Sequence, residues 1–504
     1  MSGSANPPAS GTPVPQFPQL LGHPRPLWML FMSEFWERFA FYGMRWALTL
    51  YIVSQFFNGD EAGQASASRT YGAYLALVYA TAVFGGYVAD KIIGYQRSIL
   101  LGAVVMAAGL FMVMVPQHEI FMLGLATIIV GNGLFKPNIS SMVGQLYAPG
   151  DSRRDRGFTL FYMGINAGAL IAPVLTSVLA TQVFGTPGHQ NYHVVFAASG
   201  VGMLISLVWF WFGRRQLGDI GKPAAEIANP MRVVYVAIGV LLAIPLVYLL
   251  MDRAGAVALQ WLLTALFIGV GVMLVREAIR TGKVQIQRVI AMLIIFAFNV
   301  LFWMFFEQAG SSFNFLAQNI VDRQMFGGWQ FPIGWFQSVN PVAIVLLAPL
   351  VTLIWAWLDK RKIEPSIPRK FGMGLIGNAL GFAVLMYALS SLVDTKGMIP
   401  LWTLVLCYVL QTAGELCLSP IGLSMVTKLA PIRLVGLGMG GWFLSTAIGN
   451  NLAGLFAAGV SGESGMTVTS ALDGYTFGFW ILLGGGVLLF LIAPLINKLM
   501  HGVR

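Results

Sequence analysis

Long apolar stretches, separated by short polar or basic segments, follow one another along most of the chain after residue 26. A helix needs about 20 apolar residues to cross the roughly 30 Å hydrocarbon core of a bilayer. Several of the stretches begin or end at Gly or Pro, as helix boundaries do. The pattern predicts fourteen transmembrane helices and an all-α polytopic membrane protein. Their cores are residues 28–57, 70–93, 97–115, 119–146, 157–182, 191–213, 232–251, 258–276, 288–318, 338–358, 371–393, 399–427, 434–459 and 475–500.

The composition supports a membrane protein and excludes a cytosolic enzyme. The 504 residues are 57% hydrophobic and only 10% charged, and the mean hydropathy is +0.74. Soluble domains carry roughly 45–50% apolar and about 25% charged residues. The two cysteines, Cys407 and Cys417, would lie about 15 Å apart along one helix, which is too far for a disulfide. We therefore expect no enzymatic activity, no metal and no bound cofactor.

The basic residues predict the orientation of the helices. The net charge is +10, and most of the 30 lysines and arginines fall in the termini and in every second loop. The remaining loops contain only Arg69, Arg253, Arg323 and Lys396. Cytoplasmic loops are enriched in Lys and Arg, so both termini are predicted to be cytoplasmic. The positive net charge therefore reflects the orientation of the protein in the membrane, and no nucleic-acid partner is expected.

The fourteen segments are not equivalent. The seventh and eighth have no charged residue in their apolar cores and are joined at Asp252-Arg253, which predicts a packed or lipid-facing hairpin. The other twelve divide into six and six, as in a transporter of the major facilitator fold. The amino terminus is rich in Pro, Gly and Ser and lacks the apolar core of a signal peptide. The predicted divisions are a disordered cytoplasmic tail (1–26), an N-terminal six-helix bundle (27–214), a linker with the hairpin (215–285) and a C-terminal six-helix bundle (286–504).

The first predicted helix carries most of the ionisable residues at membrane depth. Glu34, Arg38, Tyr42 and Arg45 follow helical spacing along one face, and Glu37 lies beside them. Each such charge is costly in a bilayer and normally faces a wet cavity or a partner. One interpretation is an internal salt bridge that only stabilises helix packing. The other is a cavity wall that binds charge and moves protons.

Three more isolated charges, Lys136, Glu307 and Glu415, occur in later segments near Pro or Gly. Among the charges at membrane depth, basic residues predominate in the amino-terminal half of the chain and acidic residues in the carboxyl-terminal half. That polarity suits a substrate with a carboxylate at one end and an ammonium group at the other. A buried ion pair remains the alternative for any one of them.

Several runs of residues together resemble the proton-dependent oligopeptide transporter family, of the bacterial type. They are Glu34-x-x-Glu37-Arg38-Phe39-x-x-Tyr42-Gly43, Phe135-Lys136-Pro137-Asn138-Ile139-Ser140, Phe161-Tyr162-Met163-Gly164-Ile165-Asn166-x-Gly168, Phe302-Trp303-x-x-x-Glu307-Gln308, Gln337-x-x-Asn340-Pro341 and Gly440-Gly441-Trp442-Phe443-Leu444. The hairpin resembles the insertion of the bacterial members. The resemblance implies import of di- and tripeptides across the bacterial inner membrane by alternating access, with protons as the coupling ion and a monomer as the functional unit.

The resemblance also implies roles for individual residues. Arg45 and Lys136 would bind the peptide carboxylate, and Glu415 would bind the ammonium group. The other substrate-binding residues would be Tyr42, Tyr79, Tyr162, Asn166, Trp303, Asn340, Ser419 and Trp442. Proton coupling would involve Glu34, Glu37, Arg38 and Glu307, since all five histidines fall in tails or loops. Two salt bridges between the halves, Arg45 with Glu307 and Lys136 with Glu415, would act as gates.

Other solutes remain open, because one fold hosts many functions. A drug exporter would need a largely apolar cavity with one acid, and the buried charges of both signs argue against it. A receptor would need an output domain, for which the termini are too short. A transporter of nitrate or a glycoside is harder to dismiss, although the glutamates of the first helix favour peptides.

Overall fold

The computed structural model describes residues 17–503 apart from 149–150, 152, 187–188 and 252. It is almost entirely helical. The helices are α1 Arg25–Phe56, α2 Gln64–Val88, α3 Tyr95–Met112, α4 His118–Gln145, α5 Arg154–Val178, α6 Tyr192–Gly213, α7 Met231–Met251, α8 Arg253–Thr281, α9 Lys283–Phe306, α10 Ser312–Asn319, α11 Val339–Lys360, α12 Ile367–Ser391, α13 Leu401–Leu429, α14 Val435–Ser461 and α15 Val468–Met500. Two short strands, β1 Gln19–Leu20 and β2 His23–Pro24, pair antiparallel, and β3 Val321–Asp322 pairs in parallel with β4 Ile399–Pro400.

The long helices are the predicted membrane spans. Within the described residues, thirteen helices are long and apolar enough to cross a membrane. α1 is a further long helix of 32 residues, and its buried charges set it apart from the others by composition. The prediction of an all-α polytopic membrane protein is confirmed.

Helices α1–α6 pack as one bundle and α9–α15 as a second. At one end of the molecule, which we call the basic end, the start of α9 meets the ends of α13 and α15. Gln285 Nε2 donates to Leu429 O at 2.7 Å, and the side chains of Gln287 and His501 are in hydrogen-bond contact. At the opposite end, the ring of Phe56 at the end of α1 lies 5.2 Å from that of His118 at the start of α4. The predicted cytoplasmic loops are at the basic end.

Hydrogen bonds close the two bundles against each other at the opposite end. Asn314 Nδ2 donates to Trp46 O at 2.8 Å, and Ser338 Oγ donates to Leu170 O at 2.8 Å. α2 and α14 cross closely there, because a Cβ on Gly72 would lie only 2.6 Å from Gly454 Cα. This interface bounds the candidate site on the side of the opposite end. It joins α1, α2 and α5 of one bundle to α10, α11 and α14 of the other.

The predicted segment 288–318 is not one helix. α9 ends at Phe306 and α10 begins at Ser312, with non-helical backbone at Ser311. Unwound backbone at membrane depth needs partners for its carbonyl groups. Thr49 Oγ1 donates to Gly310 O at 3.0 Å, and Gln337 Nε2 donates to Ala309 O. Gly310 also allows Tyr71 to approach, since a Cβ there would lie 2.0 Å from Tyr71 Oη.

The hairpin α7–α8 lies across the seam between the bundles. α7 packs on α4, while α8 packs on α9 and α14, and both touch α2. Asn451 Nδ2 on α14 donates to Gln260 Oε1 on α8 at 2.8 Å. An apolar cavity of about 680 Å³ is lined mainly by residues of α2, α4, α7 and α8. The outer face is lipid-like, with Leu241 and Leu242 67% and 72% exposed. Of the joint at Asp252-Arg253, Asp252 lies outside the described residues.

The expectation of disorder over residues 1–26 is wrong for its last part, whereas residues 1–16 lie outside the described residues. β1 and β2 form a tight hairpin in which Leu21 and Gly22 both have positive φ. His23 Nδ1 lies 2.8 Å from Tyr147 Oη at the end of α4. Burial and the neighbouring Arg156 and Arg153 lower the pKa of His23, so a neutral imidazole makes this contact. A polar composition alone did not reveal that anchor.

Candidate functional site

Arg38 is the centre of a fully buried charged cluster on α1. It forms two hydrogen bonds with Glu37, Nε to Oε2 at 2.5 Å and Nη2 to Oε1 at 2.6 Å. Its Nε lies 3.5 Å from Glu34 Oε1, one helical turn away. Asn132 Nδ2 on α4 donates to Glu37 Oε1 at 3.1 Å. Glu34 Oε2 is buried and has no hydrogen-bond partner among the described residues. With both glutamates ionised, the cluster of Glu34, Glu37 and Arg38 carries one excess negative charge.

Arg45 connects the two bundles. Its Nη2 forms a salt bridge with Glu307, which caps the end of α9, and its Nε donates to Tyr71 Oη at 2.5 Å. The guanidinium group also lies over the ring of Tyr42, 5.6 Å from its centroid. Glu307 is at the start of the break between α9 and α10, so the unwound backbone places its carboxylate against α1. The pair sits just below the closed opposite end.

Lys136 lies on α4, one turn from Asn132. Its Nζ is 4.9 Å from the centroid of the Tyr79 ring on α2. Pro137 follows it within the helix and removes one backbone donor. Lys136 forms no salt bridge with any described acidic residue, and the side chain is partly exposed. The predicted pair with Glu415 is thus not formed in this structure.

Glu415 on α13 instead accepts a hydrogen bond from a neutral donor. Asn340 Nδ2 on α11 donates to Glu415 Oε2 at 2.9 Å and to Thr412 Oγ1 at 2.9 Å. The carboxylate is partly exposed and forms no salt bridge within the part of the chain that is described. Ser419 lies one turn further along α13, and among the described residues no hydrogen bond joins it to Glu415.

The remaining predicted residues fall into an exposed and a packed group. Tyr162 on α5 is 46% exposed, and Asn166 Nδ2 donates to its carbonyl oxygen at 2.9 Å. Trp303 and Trp442 are 8% and 5% exposed, and their faces are largely covered. Trp303 Nε1 donates to Asn299 Oδ1 at 3.0 Å. Trp442 lies against Gly422, where a Cβ would be 2.0 Å from the indole.

Sequence reasoning missed four residues that hold the predicted ones in place. Tyr71 lies eight residues before Tyr79 on α2, and Asn132 four before Lys136 on α4, so each shares a helix face with a predicted residue. Thr412 similarly precedes Glu415 by three residues. Helical spacing could have identified these three. Asn299 lies in an otherwise apolar run of α9 and binds Ser445 and Thr446 on α14, which no local pattern indicates.

The arrangement can bind charge but offers no metal site. Among the described residues, no three His, Cys, Asp or Glu side chains gather in a way that could hold an ion. The ionisable groups instead form a buried acidic cluster and one salt bridge between the bundles, while Lys136 and Glu415 form no salt bridge with a described residue.

The helical architecture and these buried charges define a membrane transporter of the major facilitator fold. The sequence profile of the POT family matches residues 96–471, and the chain belongs to that family. It is 35% identical to the peptide transporter YePEPT of Yersinia enterocolitica, over 98% of this chain and 99% of that protein. It is 33% identical to dipeptide and tripeptide permease B of Aeromonas hydrophila, over 96% of this chain and 95% of that one.

Solved structures agree with the fold. A crystal structure of the peptide transporter POT in complex with sulfate superimposes with a TM-score of 0.82, at 32% identity over 96% of this chain and 97% of that chain. A POT family transporter in complex with a thioalcohol-conjugated peptide gives a TM-score of 0.81, at 30% identity over 96% and 99% of the two chains. The family and the fold predicted from the sequence are thereby confirmed.

Proposed function

We propose that this protein imports di- and tripeptides together with protons by alternating access. The observation that carries the substrate class is a pair of charges in different bundles, Lys136 on α4 and Glu415 on α13, that form no salt bridge with a described residue. A peptide with free termini carries one carboxylate and one ammonium group. The names of the peptide transporter and permease relatives support the same substrate class.

Lys136 and Arg45 bind the peptide carboxylate in this proposal, and Glu415 with Asn340 binds the ammonium group. Tyr42, Tyr79, Tyr162 and Asn166 line the space between these ends, with Trp303, Trp442 and Ser419 behind it. Two fixed charged ends recognise the termini, and adaptable apolar surface accommodates different side chains. The absence of an ion pair between Lys136 and Glu415 supports this assignment, because both groups are then available to a substrate.

Proton coupling belongs to Glu34, Glu37 and Arg38, together with Glu307. A cluster with one excess negative charge is expensive to bury, and a single proton neutralises it. Glu34 Oε2 is the oxygen that makes no hydrogen bond, so it receives the proton without breaking an existing contact. The Arg45–Glu307 salt bridge closes the opposite end, and its release opens that end to substrate.

The cellular setting follows from the same proposal. The basic end faces the cytoplasm of a bacterial inner membrane, both termini are cytoplasmic, and one chain is the functional unit. Nitrate, a glycoside or a drug would not need an anionic and a cationic group in opposite bundles.

The deciding experiment is uptake of labelled dialanine by liposomes that contain the purified protein. An inward proton gradient should drive accumulation above the external concentration, and a protonophore should abolish it. Unlabelled dialanine should compete, whereas nitrate should not. Gradient-driven nitrate uptake without dialanine uptake would contradict the substrate class. Dialanine accumulation that persists after the protonophore would contradict proton coupling.

A further inference from the structure

A basic pocket of about 500 Å³ lies at the basic end, remote from the buried charges around Arg38, Arg45 and Glu307. It is formed by the start of α3, the end of α6 and the linker that follows. Its lining consists of Gln96, Arg97, Arg214, Arg215, Gly218 and Lys222, and includes no acidic residue. Four cations converge on this space, which is unusual in a chain with only 10% charged residues.

Few of these charges are compensated. Lys222 pairs with Asp219 at 2.9 Å, but the Asp219 side chain is 97% exposed and the pair is screened. Arg97 Nη2 donates to Ala228 O at 2.9 Å, while its Nη1 is buried without a partner among the described residues. Arg214 and Arg215 form no salt bridge with a described acidic residue. The guanidinium of Arg214 stacks on Trp211, 3.7 Å from the ring centroid, which fixes its position.

The shape of the pocket is fixed by buried contacts between the start of α3 and the backbone of the linker. Gln96 is 7% exposed, and its Nε2 donates to Ile220 O at 2.7 Å. Its backbone nitrogen donates to Gly221 O at 2.9 Å. Gly94 presses on Pro223, since a Cβ there would lie 2.7 Å from the proline nitrogen. These contacts hold the linker against α3, so the cations surround a preformed space.

An apolar groove of about 590 Å³ lies along α6. It is lined by Val201, Leu204, Ile205, Val208, Trp209, Phe212, Gly213 and Gln216. These positions lie on one face of the helix. The groove and the pocket both use the end of α6, because Phe212 and Gly213 line the groove and the next two residues, Arg214 and Arg215, line the pocket. Phe212 is 66% exposed and Trp209 45% exposed. Trp at this depth is typical of the boundary between lipid chains and headgroups.

We propose that the pocket and the groove together bind one anionic phospholipid. The phosphate of the headgroup lies among Arg97, Arg214, Arg215 and Lys222, and an acyl chain lies along α6. Basic pockets beside membrane helices bind anionic headgroups, and arginine matches phosphate geometry well. A zwitterionic lipid would bring its own cation into a pocket that holds only cations. A free phosphate would leave the adjoining groove exposed.

The test is native mass spectrometry of the delipidated full-length protein, titrated with phosphatidylglycerol, phosphatidylcholine or inorganic phosphate. The pocket variant is Arg215→Gln with Lys222→Gln. The matched control, Lys360→Gln with Arg361→Gln, removes two exposed positive charges from another loop at the basic end. The parent should retain phosphatidylglycerol over phosphatidylcholine. The pocket variant should lose roughly tenfold or more of that affinity, and the control should stay close to the parent.

Three outcomes would overturn the proposal. They are equal retention of the two lipids by the parent, equal loss in the pocket and control variants, and displacement of bound phosphatidylglycerol by inorganic phosphate at the same concentration. Thermal unfolding of each variant in phosphatidylcholine should match that of the parent, which separates lost binding from lost folding. If Arg215→Gln with Lys222→Gln does not fold, Arg215→Gln alone provides the same comparison against Arg361→Gln.

Discussion

Arg38 faces two buried carboxylates and can neutralise only one of them. Glu37 takes the bidentate contact and a further hydrogen bond from Asn132, whereas Glu34 has one oxygen at 3.5 Å and one without a partner. A buried polar oxygen without a partner costs about 1–3 kcal/mol. Protonation of Glu34 at its free oxygen would break no hydrogen bond, whereas protonation of Glu37 would disturb its contacts with Arg38 and Asn132. Both carboxylates nevertheless contribute to the net charge of the cluster.

We expect Glu34→Gln or Glu37→Gln to abolish gradient-driven accumulation of dialanine while counterflow exchange stays measurable. Each substitution removes the excess charge that a proton would neutralise, but leaves Lys136, Arg45 and Glu415 in place. The measurement compares accumulation under an inward proton gradient with exchange at equal pH in the same liposomes. Undiminished accumulation by both variants would exclude the cluster from coupling.

The substrate's orientation can be tested at Lys136. The ammonium group rests over Tyr79 and forms no salt bridge with a described acidic residue, so it is available to a peptide carboxylate. A charge-assisted hydrogen bond contributes about 1.5–3 kcal/mol, or roughly tenfold to a hundredfold in affinity. Amidating the carboxyl end of dialanine should weaken competition by that factor in the parent and by much less in Lys136→Ala.

Acetylating the amino end of dialanine provides the control for this test. It should weaken binding equally in the parent and in Lys136→Ala, because Glu415 is unchanged in both. If amidation costs the two proteins the same affinity, Lys136 does not bind the carboxylate.

At this scale, the sequence shows which residues are chemically exceptional but not how they pair. The predicted salt bridge between Arg45 and Glu307 is present, and Glu34, Glu37 and Arg38 form a separate buried cluster. The partner of Lys136 was not predictable, because the same sequence is compatible with contact to the Tyr79 ring and with a salt bridge to the distant Glu415. Contacts between bundles depend on the conformation that the transporter adopts.

Among the elements, hydropathy located the long helices well and failed where a helix is interrupted. The apolar run through residues 288–318 continues across the break at Glu307–Ser311, so its periodicity gives no sign of unwinding. Its stability depends on Thr49 and Gln337, which are distant in sequence and supply donors to the freed carbonyl groups. The anchor between His23 and Tyr147 was missed for the same reason.

The crossing of α2 and α14 yields a prediction for a pair of helices. A Cβ on Gly454 would lie 2.6 Å from Ser68 O and 2.7 Å from Gly72 Cα, so Gly454→Ala must push the helices apart. Overpacking of this kind costs about 1–3 kcal/mol, and here it opposes closure of the opposite end. We expect dialanine uptake to fall roughly tenfold.

Gly459→Ala on the same helix is the matched control, because nothing lies within 4 Å of its added Cβ. Its uptake rate and thermal unfolding temperature should stay close to those of the parent. Similar rates for Gly454→Ala and Gly459→Ala would show that this crossing tolerates separation and does not limit closure.

For the whole molecule, alternating access requires the two bundles to meet at one end at a time. In this structure they meet at the opposite end, through backbone and side-chain hydrogen bonds and through Arg45 with Glu307. The division into bundles follows from helix count and charge placement, which are encoded locally. Which end is closed is not encoded locally, because it depends on contacts between residues more than 100 positions apart, such as Trp46 with Asn314.

Removing one partner of the salt bridge between the bundles should shift the whole molecule. Glu307→Gln leaves Arg45 with Tyr71 but without a counter-charge, and an unpaired buried charge costs about 3–5 kcal/mol. Since that cost falls on the closed form, the population open at the opposite end should rise by roughly a hundredfold or more. A cysteine at Ser338, which is 5% exposed between the bundles, reports on that opening.

The measurement is the rate at which a bulky polar thiol reagent modifies Ser338→Cys in a Cys417→Ser background, with the fully buried Cys407 retained. Glu307→Gln should raise this rate and slow dialanine uptake, while binding of dialanine persists. Glu119→Gln removes an exposed carboxylate at the start of α4, at the same end of the molecule, and should change neither quantity. An unchanged modification rate together with normal uptake in Glu307→Gln would show that the salt bridge does not hold this end closed, and that contacts such as the hydrogen bond from Asn314 to Trp46 are sufficient.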